Sequence, residues 1–276
     1  MLHPQPVAAQ KNFLFPSSEK PASVRGETAP GPSPERLSWA RIFDNVIATP
    51  MSLFMDRESF MDREMDQPDA ILTPADAPAD AIISSDMFRG QRIPPGQSRT
   101  KKWPVLDAAG PPPITLETWR FRIFGLVGQP LELTWSEFQA LPRVKVFSDF
   151  HCVTRWSRLG NLWEGVSSRH LIQLAGGPAE GAKYALAHGY DHGFTTNLPL
   201  TDLLSEDSLV AITHDGESLS LPHGGPARLI VPLLYAWKSA KWISGLELLP
   251  HDQAGFWESN GYHMRGDPWT EERHNW

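Results

Sequence analysis

The stretch Val144-Lys145-Val146-Phe147-Ser148-Asp149-Phe150-His151-Cys152-Val153-Thr154-Arg155-Trp156-Ser157 decides how this chain is read. Val144, Val146 and Ser148 alternate with their neighbours and begin a strand that delivers His151 and Cys152 at its end. Cys152 is the only cysteine in 276 residues. A lone thiol cannot close an internal disulfide, and it cannot supply a structural zinc site of the multi-cysteine kind. Two uses remain. One is a buried inert thiol, since free cysteine is among the most buried residue types. The other is one working thiolate, favoured by charge from His151 and from Arg155 three residues on.

Outward from this strand the pattern is of short elements. Trp119, Phe121, Ile123 and Gly125 alternate with Arg120, Arg122 and Phe124, which predicts an earlier strand. Thr134 caps a short helix to about Leu141, with Glu137 at the capping-box position. Ser167 or Ser168 caps another over His170 to Ala175, stopped by Gly176-Gly177. Lys183 to Ala187 reads as a strand, Thr201 to Leu204 as one helical turn, and Leu209 to Thr213 as a strand entering an Asp215-Gly216 hairpin turn. Ala227 to Pro232 and Lys241 to Leu249 are the last strands. Many short strands with a few short helices predict a β-rich α+β domain, not a doubly wound sheet.

That domain is expected over residues 86–276. Residues 1–85 read as a Pro-rich, largely disordered N-terminal extension with short helical stretches. Pro16, Pro21, Pro30, Pro32 and Pro34 crowd one segment, which cannot bury enough apolar area to offset chain entropy. Of eleven Trp, all but Trp39 lie at or beyond residue 103, which marks where dense packing is expected. The apolar fraction of 41% suits a soluble domain with a core. A net charge of −7 argues against nucleic-acid binding, which needs clustered Lys and Arg. No apolar run approaches a membrane span, and the first ten residues lack an export signal, so the expected location is cytoplasmic.

Three further stretches carry chemistry. Leu221-Pro222-His223-Gly224-Gly225-Pro226-Ala227-Arg228 makes a tight loop before a strand, with His223 and Arg228 flanking it. Glycine lets a backbone approach a ligand closely, and the arginine fork suits phosphate. A hairpin entry with a surface arginine explains the same residues. Tyr235-Ala236-Trp237-Lys238-Ser239-Ala240-Lys241-Trp242 sets two lysines three apart among aromatics, as either a surface turn or a phosphate pocket. Gly261-Tyr262-His263-Met264-Arg265 reads as a packed C-terminal turn or as a polar rim over a site. No Gly-rich dinucleotide fingerprint and no Walker loop occurs.

Taken in order, the His-Cys-Val-Thr-Arg-Trp-Ser run at 151–157, His-Gly-Gly-Pro-Ala-Arg at 223–228 and Lys-Ser-Ala-Lys-Trp at 238–242 resemble the sulfite oxidase superfamily. More narrowly, they resemble its short single-domain molybdopterin-dependent oxidoreductases. Phe-Arg-Gly-Gln-Arg at 88–92, Thr-Thr-Asn-Leu-Pro-Leu at 195–200 and the stretch 261–269 extend the likeness from about Met87 to the end.

The resemblance implies a sulfite-oxidase-type molybdopterin-binding fold of mixed sheets and short helices. It implies Mo-molybdopterin, one molybdenum per chain, with Cys152 as the protein's metal ligand beside the pterin dithiolene. Soft thiolates suit such a metal. The resemblance assigns His223, Arg228, Ser239, Ala240 and Lys241 to the pterin and its phosphate, with Arg89, Arg92 and His151 as further cofactor contacts. Trp156, Tyr262 and Arg265 are assigned to the substrate mouth as catalytic residues. A Thr that some members use to touch the pterin falls near Gly189 here. The arginine pair that follows the cysteine in sulfite oxidases is absent, so sulfite is not the expected substrate.

The expected function is two-electron oxygen-atom transfer on a small-molecule substrate, with an external electron carrier and no nucleic-acid or membrane partner. Two alternatives stand beside it: a cysteine-nucleophile hydrolase or transferase using Cys152, and a cofactor-free binding protein on the same fold.

Overall fold

The computed structural model describes residues 71–107, 110–191 and 193–275. The helical stretches expected before residue 71 and His192 lie outside the described residues. Two mixed sheets carry the domain. The strands of the first are β1 (Ala81–Ile83), β2 (Ser98–Arg99), β5 (Val144–Cys152), β6 (Trp156–Ser167), β9 (Leu209–His214), β10 (Glu217–Ser218) and β11 (Arg228–Ile230). The second holds β3 (Arg120–Gly125), β4 (Leu131–Thr134), β7 (Tyr184–Gly189), β8 (Thr195–Pro199) and β12 (Ile243–Leu249). The first sheet runs β1-β5-β6-β9-β10, with β2 on β6 and β11 on β9; the second runs β4-β3-β12-β7-β8. The helices are short: α1 (Trp135–Gln139), α2 (Ser168–Leu174), α3 (Leu200–Leu203) and α4 (Phe256–Ser259). This is the β-rich α+β architecture that the residue pattern predicts. Among the described residues no helix is long and apolar enough to cross a membrane.

Residues 71–85, grouped with the extension by sequence, join the first sheet through β1, which pairs in parallel with β5, Ile82 opposite Val146. Proline and acid density mask a three-residue strand that draws its partner from 64 positions away. The larger apolar core packs Trp119, Phe121 and Phe138 with Val166, Leu171, Leu198, Leu229 and Leu246. A second cluster, Val146, Phe150, Cys152, Trp156 and Trp163, packs on β5 and β6.

Thr134 caps α1 as its sequence predicts. Its Oγ1 accepts from Glu137 N at 3.3 Å, and Glu137 Oε2 accepts from Thr134 N at 2.8 Å. Replacing Thr134 with Ala removes the Oγ1 that accepts from Glu137 N, leaves the backbone N–H to Glu137 Oε2 in place, and is expected to cost about 1 kcal/mol, read from the urea midpoint.

Candidate functional site

β5 and β6 form an antiparallel pair in which Cys152 faces Trp156 across the register. The turn Val153-Thr154-Arg155 joins them, with Arg155 at φ +73° and its N–H donating to Cys152 O at 3.0 Å. Side chains alternate along β5, so His151 and Cys152 point to opposite faces. Cys152 enters the wall of a cleft whose open space, mouth included, is about 840 Å³, within the range of small-molecule sites. His151 instead bonds Ser157 Oγ through Nδ1 at 2.8 Å and meets the edge of Trp269.

The cation argument made from sequence is therefore corrected. Burial pulls His151 down to about 4, so it is neutral, and Arg155 is an exposed turn residue. The positive charges that act on Cys152 belong to Arg273 and Arg228. Burial still dominates and pushes the thiol up; among the described residues the one side chain bonded to Sγ is Thr154, at 3.1 Å.

The cleft brings together Cys152, Trp156, His223, Arg228, Ser239, Ala240, Lys241 and Tyr262. Arg89, Arg92, His151 and Arg265 do not line it. Arg89 pairs with Asp86 at 2.6 Å and covers the Trp269 ring. Arg92 holds the buried Asp149 with two bonds, at 2.8 and 2.5 Å. Arg265 links Asp202 and Asp267. Each has a carboxylate partner, local for Arg89 and remote in sequence for Arg92, with Arg265 holding one of each kind, and that partner turns it into a structural tie. Lys238 likewise leaves the phosphate pocket: it is fully buried against Glu258 at 2.6 Å.

Arg228 is 3% exposed. Its two terminal nitrogens donate to His223 O at 2.8 Å and Ser239 O at 2.9 Å. Its Nε is buried without a partner. Among the described residues no carboxylate pairs with it. Burial draws it down to about 9, so it remains charged at neutral pH. Its guanidinium also lies 5.4 Å from the ring centroids of Trp103 and Phe150, but a buried cation held by carbonyls and ring faces is costly unless an anion completes it. Gly224 makes this arrangement possible. It stands at φ +100°, and a Cβ there would lie 3.0 Å from Lys241 Cβ and 3.1 Å from Arg228 Cβ.

Lys241 Nζ donates to Pro222 O at 3.0 Å and lies 3.6 Å from Asp107 Oδ2. Burial and then Arg228 pull it down to about 8, against the pull of Asp107. The His223 ring stacks on Trp103 at 4.0 Å, donates from Nε2 to Trp103 O at 2.9 Å and accepts at Nδ1 from Ser220.

The segment 103–107 thus straps one end of the cleft. Aromatic rings dominate the other. Tyr262 lies 5.2 Å from Trp237 and 5.0 Å from Trp257 between ring centroids, and burial first, then Cys152, keeps its phenol protonated. Sequence reading missed Trp103, Asp107, Asp191, Phe194, Trp237 and Trp257 as wall residues. The concentration of Trp beyond residue 103 was their one signal. Among the described residues no three His, Cys, Asp or Glu side chains gather as a metal site.

These features fit a flat, anionic group bearing a thiol-seeking metal. Arg228 and Lys241 supply charge for a phosphate, the rings bound a planar slot, and Cys152 offers one soft ligand. The family described as "Oxidoreductase molybdopterin binding domain" matches residues 108–257. The chain is 45% identical to "Uncharacterized oxidoreductase YuiH" of Bacillus subtilis, over 67% of this chain and 93% of that one. It is 27% identical to "Protein-methionine-sulfoxide reductase catalytic subunit MsrP" of Campylobacter jejuni, over 52% of this chain and 53% of that one. With "Sulfite oxidase" of Arabidopsis thaliana identity is 23%, over 60% of this chain and 51% of that one. The chain spans about half the length of these last two relatives. A domain match over more than half the sequence, together with a near-full-length relative, places this chain in the molybdopterin-binding oxidoreductases of the sulfite oxidase superfamily.

Proposed function

We propose that this oxidoreductase holds one molybdenum per chain through a pterin dithiolene and Cys152, and transfers an oxygen atom to or from a small neutral substrate. The bound cofactor supplies the two-electron redox chemistry. The observation that carries the reading is one soft thiol in a cleft whose wall also holds a buried arginine that no carboxylate pairs among the described residues.

Arg228, His223 and Lys241 hold the anionic end of the cofactor, with the backbone of Ser239 and Ala240 along its side. Cys152, buried and raised as a free thiol, gives up its proton when a metal replaces it. Trp156, Trp237, Trp257 and Tyr262 shape the mouth near Cys152. Their faces exclude water and suit a thioether or sulfoxide sulfur. That agrees in kind with the relative whose name includes protein-methionine-sulfoxide reductase. Tyr262 keeps its phenolic proton and donates it as a hydrogen bond to the substrate oxygen.

The nucleophile reading finds no base in His151 or His223. His151 points to the far side of β5, and both His223 nitrogens are engaged. Electrons come from an external carrier, for which a reduced viologen dye substitutes in the assay. The purified full chain is expected to oxidise the dye when given a dialkyl sulfoxide and not when given an ester or amide. Ester or amide hydrolysis that Cys152→Ser abolishes, without dye oxidation, would overturn the proposal.

A further inference from the structure

Arg273 is a second buried arginine, 7% exposed, and the cofactor site above gives it no role. It does not line the cleft. It sits against the turn that carries Cys152. Its Nη1 donates to Val153 O at 2.7 Å, one residue past the thiol, and its Nη2 donates to Pro95 O at 3.2 Å. Gln97 donates from Nε2 to Cys152 O at 3.0 Å, and Ser98 N donates to Arg155 O at 2.9 Å. Three stretches remote in sequence, 95–98, 152–155 and 271–273, therefore lock together at the turn that holds the sulfur. Gly96 makes the fit possible. It stands at φ +66°, and a Cβ there would lie 2.8 Å from Glu271 Oε1 and 3.4 Å from Arg273 Nη2.

Arg273 is itself held in place. Its carbonyl accepts from His263 N at 3.2 Å, and its guanidinium covers the ring of the fully buried Tyr235 at 4.9 Å. Its charge is only partly answered. Glu271 Oε1 is 3.8 Å from Nε, but that side chain is 48% exposed, so water screens the pair. Nε has no hydrogen-bond acceptor among the described residues. Two carbonyls ask for N–H donors and not for a charge, and a buried cation so placed calls for an anion nearby. The sulfur of Cys152 becomes one when it ligates a metal. After burial and the Thr154 bonds, the charge that acts most on that thiol is Arg273, ahead of Arg228.

We infer that Arg273 is a positioning residue for the metal ligand: through Val153 O it fixes the Cys152 turn, and its buried charge raises the reduction potential of the centre that the sulfur binds. The inference rests on the molybdopterin reading. A fixed positive charge favours whichever form of the centre holds more electrons, and low dielectric around the turn lets that charge act beyond contact distance.

The test compares full-length wild type, Arg273→Gln, Arg273→Lys and Glu271→Gln, each produced in a host that makes the pterin. The midpoint potential is read by redox titration of the visible absorption, at one fixed pH and low ionic strength. The urea midpoint reports stability, and elemental analysis reports molybdenum. Arg273→Gln keeps a donor for Val153 O and loses the charge; its one-electron equilibrium should shift about 10-fold toward the oxidised form, a fall of about 59 mV. Arg273→Lys keeps the charge without the two-carbonyl fork. Its urea midpoint should fall with that of the Gln variant while its potential stays near wild type. Glu271→Gln removes the half-exposed counter-charge, so its potential should rise, by less. A metal-loaded Gln variant with the wild-type potential would overturn the inference, however unstable it proved. So would a Lys variant whose potential falls as far as that of Gln, since charge would then not be what acts. Should the Gln variant not fold, Glu271→Gln decides: a potential unchanged or lowered overturns the inference. A wild type that carries no molybdenum defeats the underlying molybdopterin reading, and this inference with it, before any variant is compared.

Discussion

Cys152→Ser is expected to yield folded protein that has lost its molybdenum and the absorption of a thiolate-bound metal. The substitution removes one soft atom from a wall that offers no substitute: the nearest hydroxyl is that of Thr154, 3.1 Å from Sγ. A serine hydroxyl is harder and far less acidic than a thiol. Loss of an outer partner of a metal ligand alone costs about 10–100-fold in affinity, so loss of the ligand itself should exceed about 100-fold. Pterin should persist in part, because Arg228, His223 and Lys241 remain. Elemental analysis and the visible spectrum read both effects. A serine variant with full molybdenum and an unchanged spectrum would mean that Cys152 is a wall residue and not a ligand.

The second large effect concerns stability. Lys238 Nζ is fully buried and donates to Glu258 Oε1 and Met264 O, each at 2.6 Å, and to Asn197 Oδ1 and O, at 2.7 and 3.0 Å. Trp237 Nε1 and Thr196 Oγ1 donate to the same Glu258 oxygen. This knot joins β8 and α4 to the turn that carries Trp237 into the cleft. Lys238→Met keeps the stem and strands the Glu258 carboxylate without its cation. Removing one partner of a buried pair costs about 3–5 kcal/mol. The urea midpoint should fall accordingly, with pterin retention falling beside it as Trp237 and Trp257 lose their support. An unchanged midpoint would show the pair to be an incidental contact.

Where local chemistry determines structure, the sequence was readable. The alternation over 144–148, the Thr134–Glu137 box and the Asp215-Gly216 turn each specify their own geometry, and β5, α1 and the β9–β10 hairpin formed accordingly. The ordered likeness also picked out Cys152, His223, Arg228, Lys241 and Tyr262, which the fold brings to one cleft. The twelve-residue β6 was not read as a strand, because Gly160 at φ +69° and Gly165 interrupt its alternation while its partners β5 and β9 are remote in sequence. Arg89, Arg92 and Arg265 were assigned by the resemblance, which carries no information on their partners in this chain. A carboxylate had already satisfied each of them: Asp86 three residues before Arg89, and Asp149 on β5 and Asp202 on α3, both remote in sequence, for Arg92 and Arg265. Asp191 escaped notice as a wall residue because its place over Gly189 has no signature in spacing.

The most direct measurement is the molybdenum and pterin content of the purified full-length chain, made in a host that supplies the cofactor. One of each per folded chain is the result predicted here. A well-folded, colourless protein containing neither would contradict it.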